Sequence, residues 1–172
     1  MPDLTARIKL GANCWNQYTD FAAWLAAGQR ASALGYDSLW TWDHVYPIVG
    51  SADGPIMEGW LSLAAWAQAT TQIRVGLMVG ANTFRNPGLT AKLATTLDHV
   101  SSGRAVLGIG GAWFEREHDA FGFDFGASAG ERLDWLDEAV VLMRRLLDGE
   151  RFSHDGATYH FEDALDAPRP VQ

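Results

Sequence analysis

The sequence predicts an α/β fold of about four β/α units around a parallel sheet, followed by a β-hairpin. Segments typical of buried strands alternate with segments typical of helices, and parallel strands need such helical crossovers. A sheet of this kind is either doubly wound or part of a (β/α)8 barrel. The 172 residues are fewer than the roughly 200 of the smallest complete barrels, so the chain has length for half a barrel plus the hairpin.

The first two units are predicted from strand patterns and helix punctuation. Ile8–Trp15 has the composition of a strand, Asp20 is suited to cap the helix that follows, and Gly35 is suited to end it. Tyr36–Trp42 is the second predicted strand, and we place Pro55 near the first position of the second helix. That helix carries apolar residues at helical spacing: Trp60, Leu63 and Ala67.

The third unit has the clearest pattern. Ile73–Gly80 is almost wholly apolar, as expected for a strand buried on both faces of a parallel sheet. Asn86 and Pro87 supply a cap and a first-position proline, and Gly103 ends the predicted helix. Apolar residues recur along this helix at helical spacing: Leu89, Leu93, Leu97 and Val100.

The fourth unit starts with a predicted buried strand at Ala105–Ile109. Ser128 and Glu131 have the spacing of a capping box, and the helix behind them stops at Gly149. We expect its buried stripe to consist of five apolar residues: Leu133, Leu136, Val140, Met143 and Leu147.

The hairpin is predicted from two short strand-like runs, Arg151–His154 and Ala157–Phe161. Asp155–Gly156 between them is a strong signal for a two-residue type I′ turn. Such a turn would place Phe152 opposite Tyr159 as an aromatic cross-strand pair.

The composition is that of a folded globular protein, with 48% hydrophobic and 20% charged residues. The net charge of −8 argues against nucleic acid or an anionic membrane as a partner. The single cysteine, Cys14, cannot form an internal disulfide, which favours a reducing compartment. Residues 1–11 contain no leader-type apolar segment and no run is long enough to span a membrane. We therefore expect a soluble, cytoplasmic chain with one domain over residues 1–172, the hairpin being an appendage at about 150–162.

Parallel α/β folds bind ligands at the carboxyl ends of their strands, so we expect the functional residues of this chain there. His44 is the only histidine at such an end, and it is suited to proton transfer or to bonding a polar ring edge. A structural histidine that bonds a loop carbonyl remains the alternative. Cys14 has no evident partner and is predicted to be a packing residue. No ligand set has zinc-type spacing, so we predict no metal and interpret His154, His160 and Glu117–His118 as a solvated face.

The glycines after the fourth strand come close to a dinucleotide-binding fingerprint but do not complete it. Gly108 and Gly110 begin the pattern, yet Trp113 occupies the third glycine position and no strand-end acid follows about 20 residues later. Glycines here indicate that backbone or ligand approaches the chain closely, and a flat ring beside Trp113 would fit. The 12% aromatic content suits either a dense core or such a ring-binding cleft.

Blocks of sequence in a characteristic order resemble the bacterial luciferase-like family, and within it the branch of coenzyme F420-dependent oxidoreductases. They are YDSLWTWDHVYP, VGLMVGANTFRNPGLTAKLATTLDHVSSGRAVLGIGGAWFEREHDAFG and ERLDWL. The resemblance runs from about Ile8 to the end of the chain. Members of this family fold as (β/α)8 TIM barrels with an insertion and bind FMN or the deazaflavin F420 at the carboxyl ends of the strands. The resemblance implies that this chain is the N-terminal part of such a barrel, about half.

The resemblance also implies site residues. Asp43 and His44 match a pair near the polar edge of the flavin ring, where His44 bonds the cofactor or substrate and passes a proton while Asp43 orients it. Met78 and Val79 match a bulge in the third strand that often holds a non-prolyl cis peptide under the central ring. The loop along the ring is matched by a small-residue group: Gly108, Gly110, Gly111 and Ala112.

The chain departs from the family pattern at two points in the site. Some F420 enzymes carry an acid in the loop after the fourth strand, where this chain has Ala112 and Trp113, and Glu115 is not aligned with that acid. Some have a tryptophan four residues after the histidine, where this chain has Ile48. Both departures argue against sugar-phosphate dehydrogenation of that type.

The sequence therefore predicts an enzyme, a flavin- or F420-dependent oxidoreductase or monooxygenase. It would transfer hydride or activate dioxygen on a small organic substrate, with coenzyme F420 as the expected cofactor and FMN as the alternative. The rival hypothesis is a non-catalytic, truncated half-barrel that binds cofactor weakly or not at all, because the loops that grip the cofactor phosphate belong to strands five to eight. A homodimer of two such halves stays open.

Overall fold

The computed structural model describes residues 8–172, so residues 1–7 of the predicted domain and most of the leader prediction lie outside the described part. The helices are α1 (Phe21–Ala33), α2 (Gly59–Ala69), α3 (Pro87–Ser101), α4 (Glu115–Phe121) and α5 (Ala129–Leu147). The strands are β1 (Gly11–Asn13), β2 (Ser38–Thr41), β3 (Arg74–Leu77), β4 (Gly80–Ala81), β5 (Ala105–Val106), β6 (Ile109–Gly110), β7 (Phe152–Asp155) and β8 (His160–Ala164). Among the described helices, none is long and apolar enough to cross a membrane.

A parallel four-stranded sheet in the order β1-β2-β3-β5 carries the fold, and β4 pairs in parallel with β6 just beyond it. This arrangement confirms the predicted α/β units. The predicted strand Ile73–Gly80 is divided, because its ladder stops at Leu77 and resumes at Gly80 around the Met78–Val79 bulge. The predicted strand Ala105–Ile109 is divided in the same way into β5 and β6.

The core lies between one face of this sheet and helices α1, α2 and α3. Trp24 and Trp66 stack there with ring centroids 3.6 Å apart. Gly28 of α1 makes this stacking feasible, since a Cβ at that position would lie 2.2 Å from the indole nitrogen of Trp66. Part of the high tryptophan content is therefore core.

The predicted helix boundaries at α1, α3 and α5 are confirmed. The side chains of Asp20, Asn86 and Ser128 each accept a hydrogen bond from a backbone N–H in the first turn, at 2.8, 2.8 and 3.1 Å. These bonds satisfy donors that a helix otherwise leaves unpaired. The glycines predicted to follow these helices all have positive φ: Gly35, Gly103 and Gly149.

The predicted start of α2 at Pro55 is wrong. The helix begins at Gly59, after Glu58, whose carboxylate accepts hydrogen bonds from two N–H groups of the first turn. The carbonyl of Pro55 instead accepts from the N–H of Tyr18, and the next residue forms an isolated antiparallel bridge with Gln17. This extended pairing delays the helix.

The predicted stripe of α5 is also wrong in part. Met143 is buried, but Leu133 and Val140 are about half exposed. The helix packs against both α3 and the hairpin. Its buried face is therefore turned about the helix axis relative to the predicted face. Val140 instead lines a groove together with Ile109 of β6. The residues that the helix does bury are Ala139, Leu142, Met143 and Leu146.

The hairpin of β7 and β8 forms after α5 as predicted, but its turn and register differ. The two-residue turn at Asp155–Gly156 is wrong, because residues 156–159 all lie between the paired strands. The aromatic pair is wrong as well: Phe152 lies opposite Ala164, and Tyr159 belongs to the turn.

A side chain of α5 explains the longer turn. The Glu138 carboxylate accepts hydrogen bonds from the N–H groups of Thr158 and Tyr159 at 3.0 and 3.1 Å, and it bonds Nε2 of His154 at 2.8 Å. The turn therefore closes around a side chain sixteen or more positions away, which local turn propensity does not include.

Candidate functional site

A cavity of about 330 Å³ opens at the carboxyl ends of the strands, bounded by the segments that follow β2, β3 and β6. It brings together seven of the eight predicted site residues: Asp43, His44, Met78, Val79, Gly110, Gly111 and Ala112. Gly108 lies just outside the lining. A Cβ on Gly108 would lie 2.5 Å from the carbonyl oxygen of Leu77, so contact between neighbouring strands requires glycine there.

The floor of the cavity is apolar and built from small residues. The Met78–Val79 peptide bond is cis, as the family resemblance implies. Both side chains are about half exposed, so they present apolar surface to the cavity. Gly110 has little spare room, since a Cβ there would lie 2.8 Å from a methyl carbon of Val79. The arrangement leaves a shallow apolar surface on which a flat ring can lie.

Asp43 is buried and paired with Arg85. The guanidinium donates from Nη1 to Oδ2 at 2.6 Å and from Nη2 to Oδ1 at 2.8 Å, and the N–H of Ala81 also donates to Oδ2 at 2.8 Å. Burial raises the pKa of the Asp43 carboxyl, and the bonds from Arg85 and Ala81 oppose that rise. Asp43 is thus bonded away from His44, and within residues 8–172 the predicted orienting contact between them is not formed.

His44 is bonded instead by Glu117 of α4. Its Nδ1 lies 2.8 Å from Oε1 of Glu117, while Oε2 accepts a hydrogen bond from the N–H of Val45 at 3.0 Å. The indoles of Trp42 and Trp113 stand edge-on to the imidazole, with centroids 6.2 and 5.6 Å away. Nε2 has no hydrogen-bond partner in the described part of the chain, so it is the ring nitrogen available to a ligand.

The interpretation of Glu117–His118 as a solvated face is wrong. Glu117 is 1% exposed and His118 is fully buried. The Nδ1 of His118 bonds the carbonyl oxygen of Phe114 at 2.9 Å, and its Nε2 bonds the hydroxyl of Thr83 at 2.7 Å. Helix α4 therefore connects the loop after β2, through Glu117, with the segment after β4, through His118.

Sequence reasoning missed Glu117 because α4 has no capping side chain and follows an irregular glycine-rich loop. Two signals were present. Gly122 is of the residue type that commonly ends a helix, and phenylalanines flank the Glu–His pair at Phe114 and Phe121. An acid and a histidine set among large aromatics are candidates for burial.

The remaining candidates lie away from the cavity or within the core. Cys14 packs against the core, and burial raises the pKa of its thiol. His154 and His160 belong to the hairpin. Within residues 8–172, no three or more histidine, cysteine, aspartate or glutamate side chains are grouped so that they could hold a metal ion. The residues that line the cavity in the described part of the chain include no lysine or arginine, and Arg85 reaches only the Asp43 carboxylate there.

Comparison with known proteins assigns the family. The family model described as luciferase-like monooxygenase matches residues 6–172, and this chain belongs to that family. It is 37% identical over 147 residues to an F420-dependent glucose-6-phosphate dehydrogenase of Intrasporangium calvum, covering 83% of this chain and 43% of that protein. It is 32% identical over 140 residues to an F420-dependent hydroxymycolic acid dehydrogenase of Mycobacterium tuberculosis, covering 81% of this chain and 38% of that protein.

Solved structures agree on the fold. An F420-dependent secondary alcohol dehydrogenase in complex with an F420–acetone adduct superimposes with a TM-score of 0.87 at 22% identity, over 97% of this chain and 50% of that one. The oxygenating constituent of 3,6-diketocamphane monooxygenase from Pseudomonas putida, solved with FMN, gives 0.76 at 18% identity, over 95% and 48%. The chain thus spans about half the length of the relatives it matches, which confirms the predicted half-barrel.

Proposed function

We propose that this chain forms part of an F420-dependent oxidoreductase and that its strand-end cavity receives the deazaflavin ring, with FMN as the alternative ligand. The observation that supports this most is the cavity itself, which combines an apolar floor at Met78–Val79 with a polar wall at His44. A ring with one apolar face and one polar edge needs both. F420 ranks first because the curated relatives described above are named for it.

The residues that line the cavity fit the flavin-type ring better than they fit a phosphate tail. Small side chains at Gly110, Gly111 and Ala112 leave the cavity open beside the apolar bulge. Phosphate groups are held by cations or by clusters of N–H groups, and the described lining offers no lysine or arginine. In the proposal, this chain holds the ring and the phosphate end is held elsewhere.

The chemistry follows from the same placement. A bound deazaflavin or flavin supplies the atom that accepts or gives up hydride, or in the FMN case reacts with dioxygen. His44, held at Nδ1, uses Nε2 to bond the ring edge or a substrate oxygen and to take or return a proton there. Trp42 and Trp113 pack edge-on beside the imidazole and limit its rotation. The substrate is a small organic molecule.

The second candidate is a half-barrel that is inactive by itself. It is favoured by one observation, the absence of a lysine or arginine from the described cavity lining, because a ring alone binds more weakly than a ring with its phosphate tail. The two candidates differ in whether the 172-residue chain binds cofactor.

The test is a fluorescence titration of the purified 172-residue chain with F420 and, separately, with FMN. We expect saturable micromolar binding of F420. The matched variants are Gly110→Ala, which places a methyl group against Val79, and Gly130→Ala in α5, where a Cβ makes only ordinary contacts. Gly110→Ala should displace Val79 at the floor of the cavity and weaken binding about tenfold, which corresponds to about 1.4 kcal/mol, and Gly130→Ala should not.

Either of two results would count against the proposal. Absence of binding for both ligands would support the inactive half-barrel. Equal binding by both glycine variants would mean that the ligand lies outside the cavity.

A further inference from the structure

We propose that Glu117 is the positioning residue of His44 and that it fixes the imidazole with its proton on Nδ1, leaving Nε2 without one. The inference rests on the proposed function only for the role of His44, which is to bond a ligand and move a proton at Nε2. The position of the proton is a property of the chain with no ligand bound.

The hydrogen-bond geometry assigns the proton. An ionised carboxylate only accepts hydrogen bonds, and a backbone N–H only donates. Oε2 of Glu117 accepts from Val45, so Oε1, at 2.8 Å from Nδ1, is left to accept from His44. A neutral imidazole has one N–H, and if Nδ1 carries it, Nε2 is an acceptor.

Glu117 can hold this position because the next residue fixes α4. His118 is fully buried and bonds both the carbonyl of Phe114 and the hydroxyl of Thr83. Aromatic rings surround it: Phe84, Phe123 and Phe125. Rotation of Glu117 away from His44 would leave a buried carboxylate and the Val45 N–H unpaired, which is costly.

The imidazole is held on its other sides by rings. Trp42, Trp113 and Phe114 all stand edge-on to it, with centroids 5.6–6.2 Å away. None of these contacts depends on which nitrogen is protonated. The rings therefore help Glu117 to orient the imidazole, whereas the position of the proton is set by Glu117 alone.

The experiment is ¹⁵N NMR of the 172-residue chain labelled at histidine, without cofactor, in alkaline buffer where a histidine ring is neutral. Two-bond ¹H–¹⁵N correlations report which ring nitrogen carries the proton, and His44→Gln identifies the signals of His44. We expect the Nδ1–H form in the wild type. In Glu117→Gln the amide can turn its own N–H toward Nδ1, so we expect Nε2 to shift from the unprotonated to the protonated range.

Glu115→Gln is the matched control, because Glu115 is an exposed glutamate of the same helix. It should leave the His44 signals unchanged. Circular dichroism establishes that each variant is folded, which separates a shift of the proton from loss of structure. If Glu117→Gln does not fold, the wild-type spectrum decides alone.

The inference is overturned if wild-type His44 carries its proton on Nε2, or if a folded Glu117→Gln keeps the wild-type pattern. Neither outcome depends on cofactor. Failure of F420 and FMN to bind would overturn the proposed function and leave this result unchanged, so the two failures are distinguishable.

Discussion

The strand-end site and the hairpin each contain a histidine bonded to a carboxylate at 2.8 Å. In the site, His44 and Glu117 are 16% and 2% exposed as side chains, and one imidazole nitrogen stays available beside a cavity. At the hairpin, the side chains of His154 and Glu138 are 28% and 16% exposed, and the carboxylate also accepts hydrogen bonds from two N–H groups of the turn. The same two groups therefore hold an imidazole beside a cavity in one region and close a loop in the other.

The arginine–aspartate pairs of the two regions differ in the same sense. Arg85 and Asp43 form a bidentate pair at the wall of the cavity, with Asp43 only 2% exposed as a side chain. Arg151 and Asp163 pair across the hairpin with both side chains more than half exposed. Burial, and not the type of contact, should decide how much each pair contributes.

The largest effect should come from removing the buried cation. Arg85→Met leaves the buried Asp43 carboxylate without its cationic partner and with only the hydrogen bond from Ala81, and we expect a loss of about 3–5 kcal/mol in the free energy of unfolding. Because burial raises the pKa of Asp43, the unpaired carboxyl is neutralised as the pH falls, so the loss should shrink toward acid. Denaturant unfolding at several pH values measures both.

The matched hairpin variant is Arg151→Met. It should change the free energy of unfolding by less than about 0.5 kcal/mol, because an exposed pair contributes little. Equal losses for the two arginine variants would contradict the contrast between the regions.

The next effect concerns the histidines. In a preparation that binds cofactor and turns over, His44→Ala should lower the turnover rate about 10²-fold, the usual result of losing a group that handles a proton. His154→Ala should leave it unchanged. The measurement is the rate at which the cofactor changes its oxidation state, and comparable rates for the two variants would show that His44 takes no part in the chemistry.

A smaller effect is expected at Glu138. Burial alone would raise the pKa of Glu138, but the bonds from His154, Tyr159 and Thr158 together lower it below its ordinary value. The stability that it contributes is therefore fully present above the ordinary glutamate pKa of about 4.3 and is lost as the pH falls through the lowered one. Glu138→Gln should cost about 1 kcal/mol at neutral pH, because one acceptor oxygen is lost.

The acid dependence gives the check on Glu138. Thermal unfolding of Glu138→Gln should show a flatter decline below about pH 4 than the wild type shows. Parallel declines would mean that this carboxylate does not hold the turn.

The smallest effect is expected at the exposed pair of His160 and Asp155. The side chains are 67% and 96% exposed, although Nδ1 of His160 lies 2.6 Å from the carboxylate. His160→Gln should change the free energy of unfolding by less than about 0.5 kcal/mol. A loss comparable with that of Glu138→Gln would show that distance matters more than burial.

Features whose partners lie within one turn of helix were predictable. Asp20, Asn86 and Ser128 cap their helices through N–H groups two or three residues away, and the alternation of apolar strands with helices specified the parallel sheet. The strand ends then indicated where the cavity would be, because parallel strands share one carboxyl edge. The family resemblance added the bulge at Met78–Val79, which is cis in the structure.

The tertiary structure decided everything that depends on a distant partner. Pro55 is held extended by Tyr18, the hairpin turn closes around Glu138, and His44 is bonded by Glu117, 73 positions along the chain. The sequence by itself determined the class of fold and the edge that carries the site, since both follow from hydrophobic period and local capping. Which carboxylate meets which histidine was decided by packing, because burial removes water as a competing partner and leaves only the donors and acceptors that the folded chain brings together.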